Sequence, residues 1–412
     1  MTRKLLNIAH SVVMAFACVF LGVLNGLAYA GPSLNPVQAD VKAACELVET
    51  RYVYFDALMM DVSSFCDDLT AGAADKTNSV PVLEELVAAL RDSHISLDTN
   101  TSRSLRLAPS GSDYAVRPLG DGLAVITGVR PASSAAHAGL DPGDQVIAID
   151  GQPIDAIMAS WDAYDTGDQP LNREISALNQ AAAGRRGKPR TISLKNEQGT
   201  RQIRLEDPIY PQNRAPVSSQ LLPGGTLYIR FNNSLGDIET VAAFDAAVKE
   251  HETTRHWIID LRDTPSGGDT DVAEPILGRF VDKRANYQRY GTDETGYTDR
   301  YVDPRGPWTI SGDIIVLVGN WTGSMGEGMA VGFDALGVAD VIGSPMAALR
   351  GGIENMELPS GLNLRLPTYD LTHMDGTPRH DWIPPHKQIA DNGNGPDIAL
   401  AHAVWMLTQK GD

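Results

Sequence analysis

The sequence predicts a multidomain α/β protein, with a helical N-terminal segment, a β-rich middle and a C-terminal layer of alternating strands and helices. Three observations predict it. In the 81–90 stretch the apolar residues Leu83, Leu86, Val87 and Leu90 keep helical spacing. From about residue 112 short β-like runs alternate with turn glycines, and from Thr226 onward strands alternate with helical stretches, the pattern of a mainly parallel sheet. A length of 412 residues suits two or three domains, and 42% apolar with 21% charged residues excludes wholesale disorder. The formal charge of -18 excludes binding of nucleic acid or an anionic membrane by bulk electrostatics.

Residues 1–30 read as a signal peptide. Arg3 and Lys4 form a basic start, Ser11 to Leu27 is uncharged and apolar, and Ala28-Tyr29-Ala30 offers small residues for cleavage. The stretch is short for a membrane anchor, and apolar residues run well past Cys18, which argues against a lipoprotein site there. The chain is therefore expected to be exported, periplasmic or secreted, with no membrane span once the leader is removed. Cys45 and Cys66 would then be the two remaining cysteines, and an oxidising compartment favours a bridge between them over two buried thiols.

Residues 31–108 are expected to form the helical domain. Pro81 suits a first helical turn, and His94, four residues after Leu90, is expected on or near the buried face. Residues 109–207 carry Ser134-Ala-Ala-His137, Ala138-Gly139-Leu140, Gly143-Asp144 and a strand closing on Asp150-Gly151. That order resembles a PDZ domain. Strands near 190–194 and 201–205 would complete it, leaving 157–186 as an insertion. Pro208, Pro211, Pro216 and Pro223 mark a linker over 208–224. Residues 225–412 form the α/β core, with strands at Thr226–Phe231, Trp257–Leu261, Ile314–Val318 and Val341–Ile342. Helices are expected from Asp237 and from Gly326, and the 282–308 stretch reads as a long loop or hairpin.

Val318-Gly319-Asn320-Trp321-Thr322-Gly323-Ser324-Met325-Gly326 ends a buried strand, turns on small residues and opens a helix. Ser324 would stand above the strand ends with the Met325 N–H and the helix N-terminus facing a developing oxyanion. This nearly matches the elbow of α/β-hydrolases, except that position 322 is threonine. Gly267 and Gly268, directly after the strand ending in Asp260-Leu261-Arg262, could give a second oxyanion donor.

Taken in order, a helical segment ending in Ser93-His94, the PDZ-like domain, Asp260-Leu-Arg262 followed by Gly267-Gly268, and Ser324 on a glycine-rich elbow resemble the C-terminal processing peptidase family, including tricorn protease. The resemblance implies a ClpP/crotonase-like core and a serine-type endopeptidase. One branch of that family uses a lysine about 25 residues beyond its serine; here Leu349 or Arg350 falls there, and neither takes a proton at neutral pH. The tricorn branch implies His94 as base, with Ser93 orienting it. Its acid is left open between Glu354 and Asp381, while Glu327 reads as structural. The resemblance also implies peptide or protein substrates, whose C-termini the PDZ domain would capture at Gly120-Asp121-Gly122-Leu123. No cofactor, metal or nucleic acid is implied. The rival readings are an α/β-hydrolase-type esterase, using His373, His380 or His386, and a relative that binds ligands or peptides without cleaving them.

Overall fold

Helix α1 (Pro36–Arg51) begins at Asn35, whose side chain caps the Gln38 N–H while Gln38 returns the bond. Helices α2 (Val62–Gly72) and α3 (Ser79–Ala89) pack beside it. These coordinates are a computed structural model, describing residues 34–161, 170–196, 199–208, 214–251, 253–387, 391–392 and 396–410. The leader, Cys18 and Pro211 lie outside the described residues.

Cys45 and Cys66 are bonded as a disulfide between α1 and α2, at a sequence separation of 21. Closing that loop stabilises by about 3 kcal/mol in the chain-entropy estimate. Cys45→Ser should lower the unfolding free energy by about that amount, read as a lower denaturant midpoint, with an m-value no smaller than the parent's because the unfolded chain is freed.

After α3 the chain leaves the helix. Arg91 has φ 52, a strained left-handed value for an arginine. His94 therefore sits on a turn, not on the buried helix face that helical spacing suggested. Strand β1 (Ser96–Leu97) follows.

The β-rich module contains β2 (Tyr114–Gly120), β3 (Leu123–Val129), short helix α4 (Ser134–His137), β4 (Gln145–Ile149) and β5 (Gln152–Pro153). Helices α5 (Ile154–Ala159) and α6 (Pro170–Ala183) and strands β6 (Arg190–Asn196) and β7 (Gly199–Leu205) complete it. The described parts of the expected insertion, 157–161 and 170–186, instead pack into the domain's own core. Ile157, Ala177, Leu178 and Ala182 are buried in the same core as Val116 and Ile126. Asp113 and Arg190, both buried, pair beneath it.

The core sheet runs through the strands at 386–387, 340–343, 313–318, 256–260, 226–231 and 217–221, in that order. Strand β8 (Val217–Leu221) lies within the expected linker and pairs antiparallel with β9 (Thr226–Phe231). Four of its five residues are exposed, so it lacks the apolar alternation that marks a strand. Helix α7 (Glu239–Glu250), strand β10 (His256–Asp260) and helix α8 (Thr270–Leu277) come next. The 282–308 stretch is a hairpin of β11 (Ala285–Thr292) and β12 (Gly296–Val302). Strand β13 (Asp313–Val318) leads into α9 (Met325–Ala335), then β14 (Asp340–Gly343). Strands β15 (Gly352–Glu357) and β16 (Asn363–Thr372) precede the short β17 (His386–Lys387), β18 (Asp391–Asn392) and α10 (Ile398–Lys410).

The parallel strands are apolar on both faces, as coverage by helices requires. Trp257 and Ile259 face a core with Phe244, Ile276 and Phe333, from α7, α8 and α9. Ile258 faces the other way, onto Ala399, Ala403 and Leu407 of α10. The regions are interleaved: β1 pairs with β16, and β18 pairs with β3 of the β-rich module. Residues 35 onward form one unit. No described helix is long and apolar enough to cross a membrane.

Candidate active site

Ser324 stands where β13 has ended and α9 begins, with φ 53 and ψ -110. A serine held in that region is strained, and the surrounding structure must enforce it. Thr322, fully buried, does part of this: its hydroxyl donates to the Leu261 carbonyl and accepts from the Gly319 N–H. The threonine that departs from the hydrolase elbow thus ties the turn to the end of β10. Gly326 must lack a side chain, because a Cβ there would lie 2.2 Å from Thr264 Oγ1.

The turn after α3 brings His94 to Ser324. Its Nε2 is 3.1 Å from Ser324 Oγ, across 230 sequence positions. Its Nδ1 is 2.6 Å from the Arg350 carbonyl oxygen. A carbonyl only accepts, so the Nδ1 proton is fixed there and the Nε2 lone pair faces the serine. Burial, aided by the Arg379 charge, pushes the His94 pKa down to about 4. The ring is therefore neutral at physiological pH, which a base requires.

Several expected roles fall elsewhere. Ser93 does not orient His94: its buried Oγ has no hydrogen-bond partner among the described residues. Glu354 pairs with Arg51 at the surface. Asp381 lies in a short 3-10 turn 3.9 Å from His380. Neither carboxylate bonds to His94, whose ring is oriented by a backbone carbonyl instead. Asp92, which the motif reading passed over, accepts the His94 N–H at 2.8 Å and the Tyr52 hydroxyl at 2.8 Å. An aspartate two residues before the histidine was the available signal, since such side chains cap their own backbone.

Leu349 and Arg350 occupy the stretch where a lysine would fall. The Leu349 N–H donates to Glu327, and the Arg350 guanidinium lies 5.2 Å from the Tyr54 ring centre. Glu327 is fully buried and accepts the Ser324 N–H at 2.7 Å. Burial raises its pKa to about 7 against the opposing pull of Arg379 and the backbone donors.

Across from Ser324, Gly268 packs on the first residue of α9: a Cβ on it would lie 2.8 Å from Met325 Cβ. The Ser324 N–H is engaged by Glu327, so it is not the free donor at this helix start. Gly120 to Leu123 form the turn of the β2–β3 hairpin, where Gly120, Asp121 and Gly122 all have positive φ and Gly120 pairs with Leu123. Their glycines are accounted for by that reversal. His373 contacts Asp334 and Asp375, and His380 packs on Tyr54, so the imidazole beside Ser324 is that of His94.

The β-rich module touches the elbow directly. Trp321 donates its indole N–H to the Ser112 carbonyl at 3.0 Å, and Arg130 pairs with Asp263 at 2.7 Å.

Residues 225–389 match the model of peptidase family S41, and residues 125–164 match that of a PDZ domain. Residues 225–389 are a domain of peptidase family S41. A carboxyl-terminal-processing protease of Picosynechococcus sp. is 25% identical over 354 residues, covering 79% of this chain and 78% of that protein. Among solved structures, the photosystem II D1 C-terminal processing protease superposes with a TM-score of 0.57 at 15% identity, over 86% of this chain and 94% of that one. Mature CPAF complexed with lactacystin gives 0.55 at 14% identity, over 91% and 97%. These likenesses agree with the three-part fold of this S41 peptidase, and the expected resemblance to the family holds.

Proposed function

We propose that this S41 peptidase is an exported serine endopeptidase of the C-terminal processing kind, working through a Ser324–His94 centre. The carrying observation is the 3.1 Å approach of His94 Nε2 to Ser324 Oγ, in the tautomer that leaves Nε2 free to accept. Ser324 Oγ bonds to the scissile carbonyl carbon as its proton passes to His94 Nε2. The oxyanion formed accepts from the Met325 N–H and from Gly267 or Gly268. His94 then protonates the leaving amine as the C–N bond breaks. A water, deprotonated by the same imidazole, releases the acyl group from Ser324. The PDZ module would hold the substrate chain. The leader-like start and the Cys45–Cys66 disulfide support export.

A fluorophosphonate probe tests the reading. Covalent labelling should map to Ser324 and be lost on prior denaturation. Absence of labelling at Ser324 in folded protein would favour the non-cleaving relative.

A further inference from the structure

His94 is held at its main chain and at its ring, and both supports lead back to one short stretch of chain. The main-chain N–H donates to Asp92 Oδ1 at 2.8 Å, and Asp92 Oδ2 accepts the Tyr52 hydroxyl at 2.8 Å. The ring Nδ1 donates to the Arg350 carbonyl, and the Arg350 guanidinium lies 5.2 Å from the centre of the Tyr54 ring. Tyr52 is the residue that ends α1. Tyr54 stands two positions later, edge-on to it with ring centres 5.8 Å apart.

That stretch is anchored from the far end of the chain. The Val53 N–H donates to the Pro367 carbonyl at 3.0 Å, and the Tyr54 hydroxyl donates to Asp370 at 2.6 Å, both acceptors lying on β16. The Tyr52–Asp92 pair is buried, with Tyr52 3% and Asp92 8% exposed, and the Tyr52 ring belongs to the apolar core of α1, α2 and α3. Phenylalanine would fill that space as well and spare the cost of burying a phenol and a carboxylate. Packing therefore does not explain the polar pair, but what it touches does. His94 lies on the turn after α3, beyond the strained Arg91, and its N–H goes to Asp92 instead of a helix carbonyl. With one carboxylate oxygen held by Tyr52, the other is fixed in the place where it meets that N–H.

We propose that Tyr52 and Asp92 are positioning residues for the base, the hydroxyl fixing the carboxylate and the carboxylate fixing the His94 main chain opposite Ser324. The inference deepens the Ser324–His94 reading and rests on it. The Tyr52-Val53-Tyr54 turn then aligns both supports of the imidazole at once. A displacement of about 1 Å between reacting groups can cost about a hundredfold in rate, so a turn remote from the Ser324 hydroxyl still bears on catalysis.

The test uses the full chain and the rate at which a fluorophosphonate probe modifies Ser324, resolved into probe affinity KI and limiting rate kinact. Asp92→Ala should lower kinact about a hundredfold and Tyr52→Phe about tenfold, with KI unchanged in both. Asp92→Asn should restore most of the parent's kinact, because its amide oxygen still accepts the His94 N–H and its NH2 donates to the Tyr52 oxygen. Denaturant midpoints measured alongside give the folded fraction, and Tyr52→Phe, which keeps the ring in the core, carries the test if Asp92→Ala fails to fold. Folded variants with lower midpoints but the parent's kinact have lost stability alone, and overturn the proposal. So does an Asp92→Asn protein as slow as Asp92→Ala, which makes the charge responsible instead of the bond. A parent chain that takes up no probe overturns the Ser324–His94 reading and this inference together, whereas parental rates in the variants overturn this inference alone.

Discussion

Ser324→Ala should reduce peptide turnover by a factor on the order of 10^6, the loss typical when the nucleophile of a mutually dependent set is removed. Alanine loses the hydroxyl's bond to His94 Nε2 but leaves the rest of the elbow in place. The elbow is held instead by the Thr322 bonds to β10 and by the Glu327 carboxylate on the Ser324 N–H. The variant should therefore keep the wild-type denaturant midpoint within about 0.5 kcal/mol of stability, as surface-like substitutions do. The strained φ of 53 suits alanine no better and no worse than serine. Turnover within about tenfold of the wild type, in protein free of contaminating protease, would remove Ser324 from the mechanism.

His94→Ala should be nearly as damaging, because nucleophile and base act as one unit. Arg350→Ala should cost much less: the bond to His94 Nδ1 comes from the backbone carbonyl, which alanine retains. The pH profile is the sharper measurement. An unperturbed histidine would lose its base function near pH 6.5. Burial holds His94 down to about 4, so kcat/KM should carry through pH 6 and fall on the acid side near pH 4. A smaller inflection near pH 7 belongs to Glu327, which ionises there and receives the Ser324 N–H. Glu327→Gln should remove that inflection and leave the acid limb in place. An acid limb at 6.5 that disappears in a His94 variant would mean the imidazole is far more exposed in solution than its contacts imply.

The core strands and Ser324 were legible because each rests on a local pattern, and His94 only through the family resemblance. Trp257 to Leu261 and Ile314 to Val318 are continuous apolar runs, and Ser324 follows one of them on a turn of small residues. What was not legible depends on pairing between distant segments. Strand β8 carries mostly exposed side chains and exists because β9 offers it an edge. Helix α6 looked like an insertion because nothing in its own sequence says that Leu178 is buried beside Ile126. The search for an acid failed for a related reason. A side chain was sought, whereas the Nδ1 partner is a main-chain oxygen, and since every residue carries one, residue type does not mark which serves. Asp92 was overlooked because its bond goes to the His94 main-chain N–H rather than to the ring.

The shared sheets bear on when this enzyme can first act during its own synthesis. The imidazole is braced by a carbonyl 256 positions downstream, and its nucleophile lies 230 positions downstream. β1 finds its partner only in β16, and the edge of the PDZ sheet is completed only by β18. A growing chain emerges N-terminus first, so its early segments wait for their partners, and such long-range pairings form slowly. A nascent chain that stops before Arg350 has both reactive side chains but nothing to hold the base in register. The topology thus makes the approach of His94 to Ser324 wait for the chain as far as Arg350, whose carbonyl braces the imidazole.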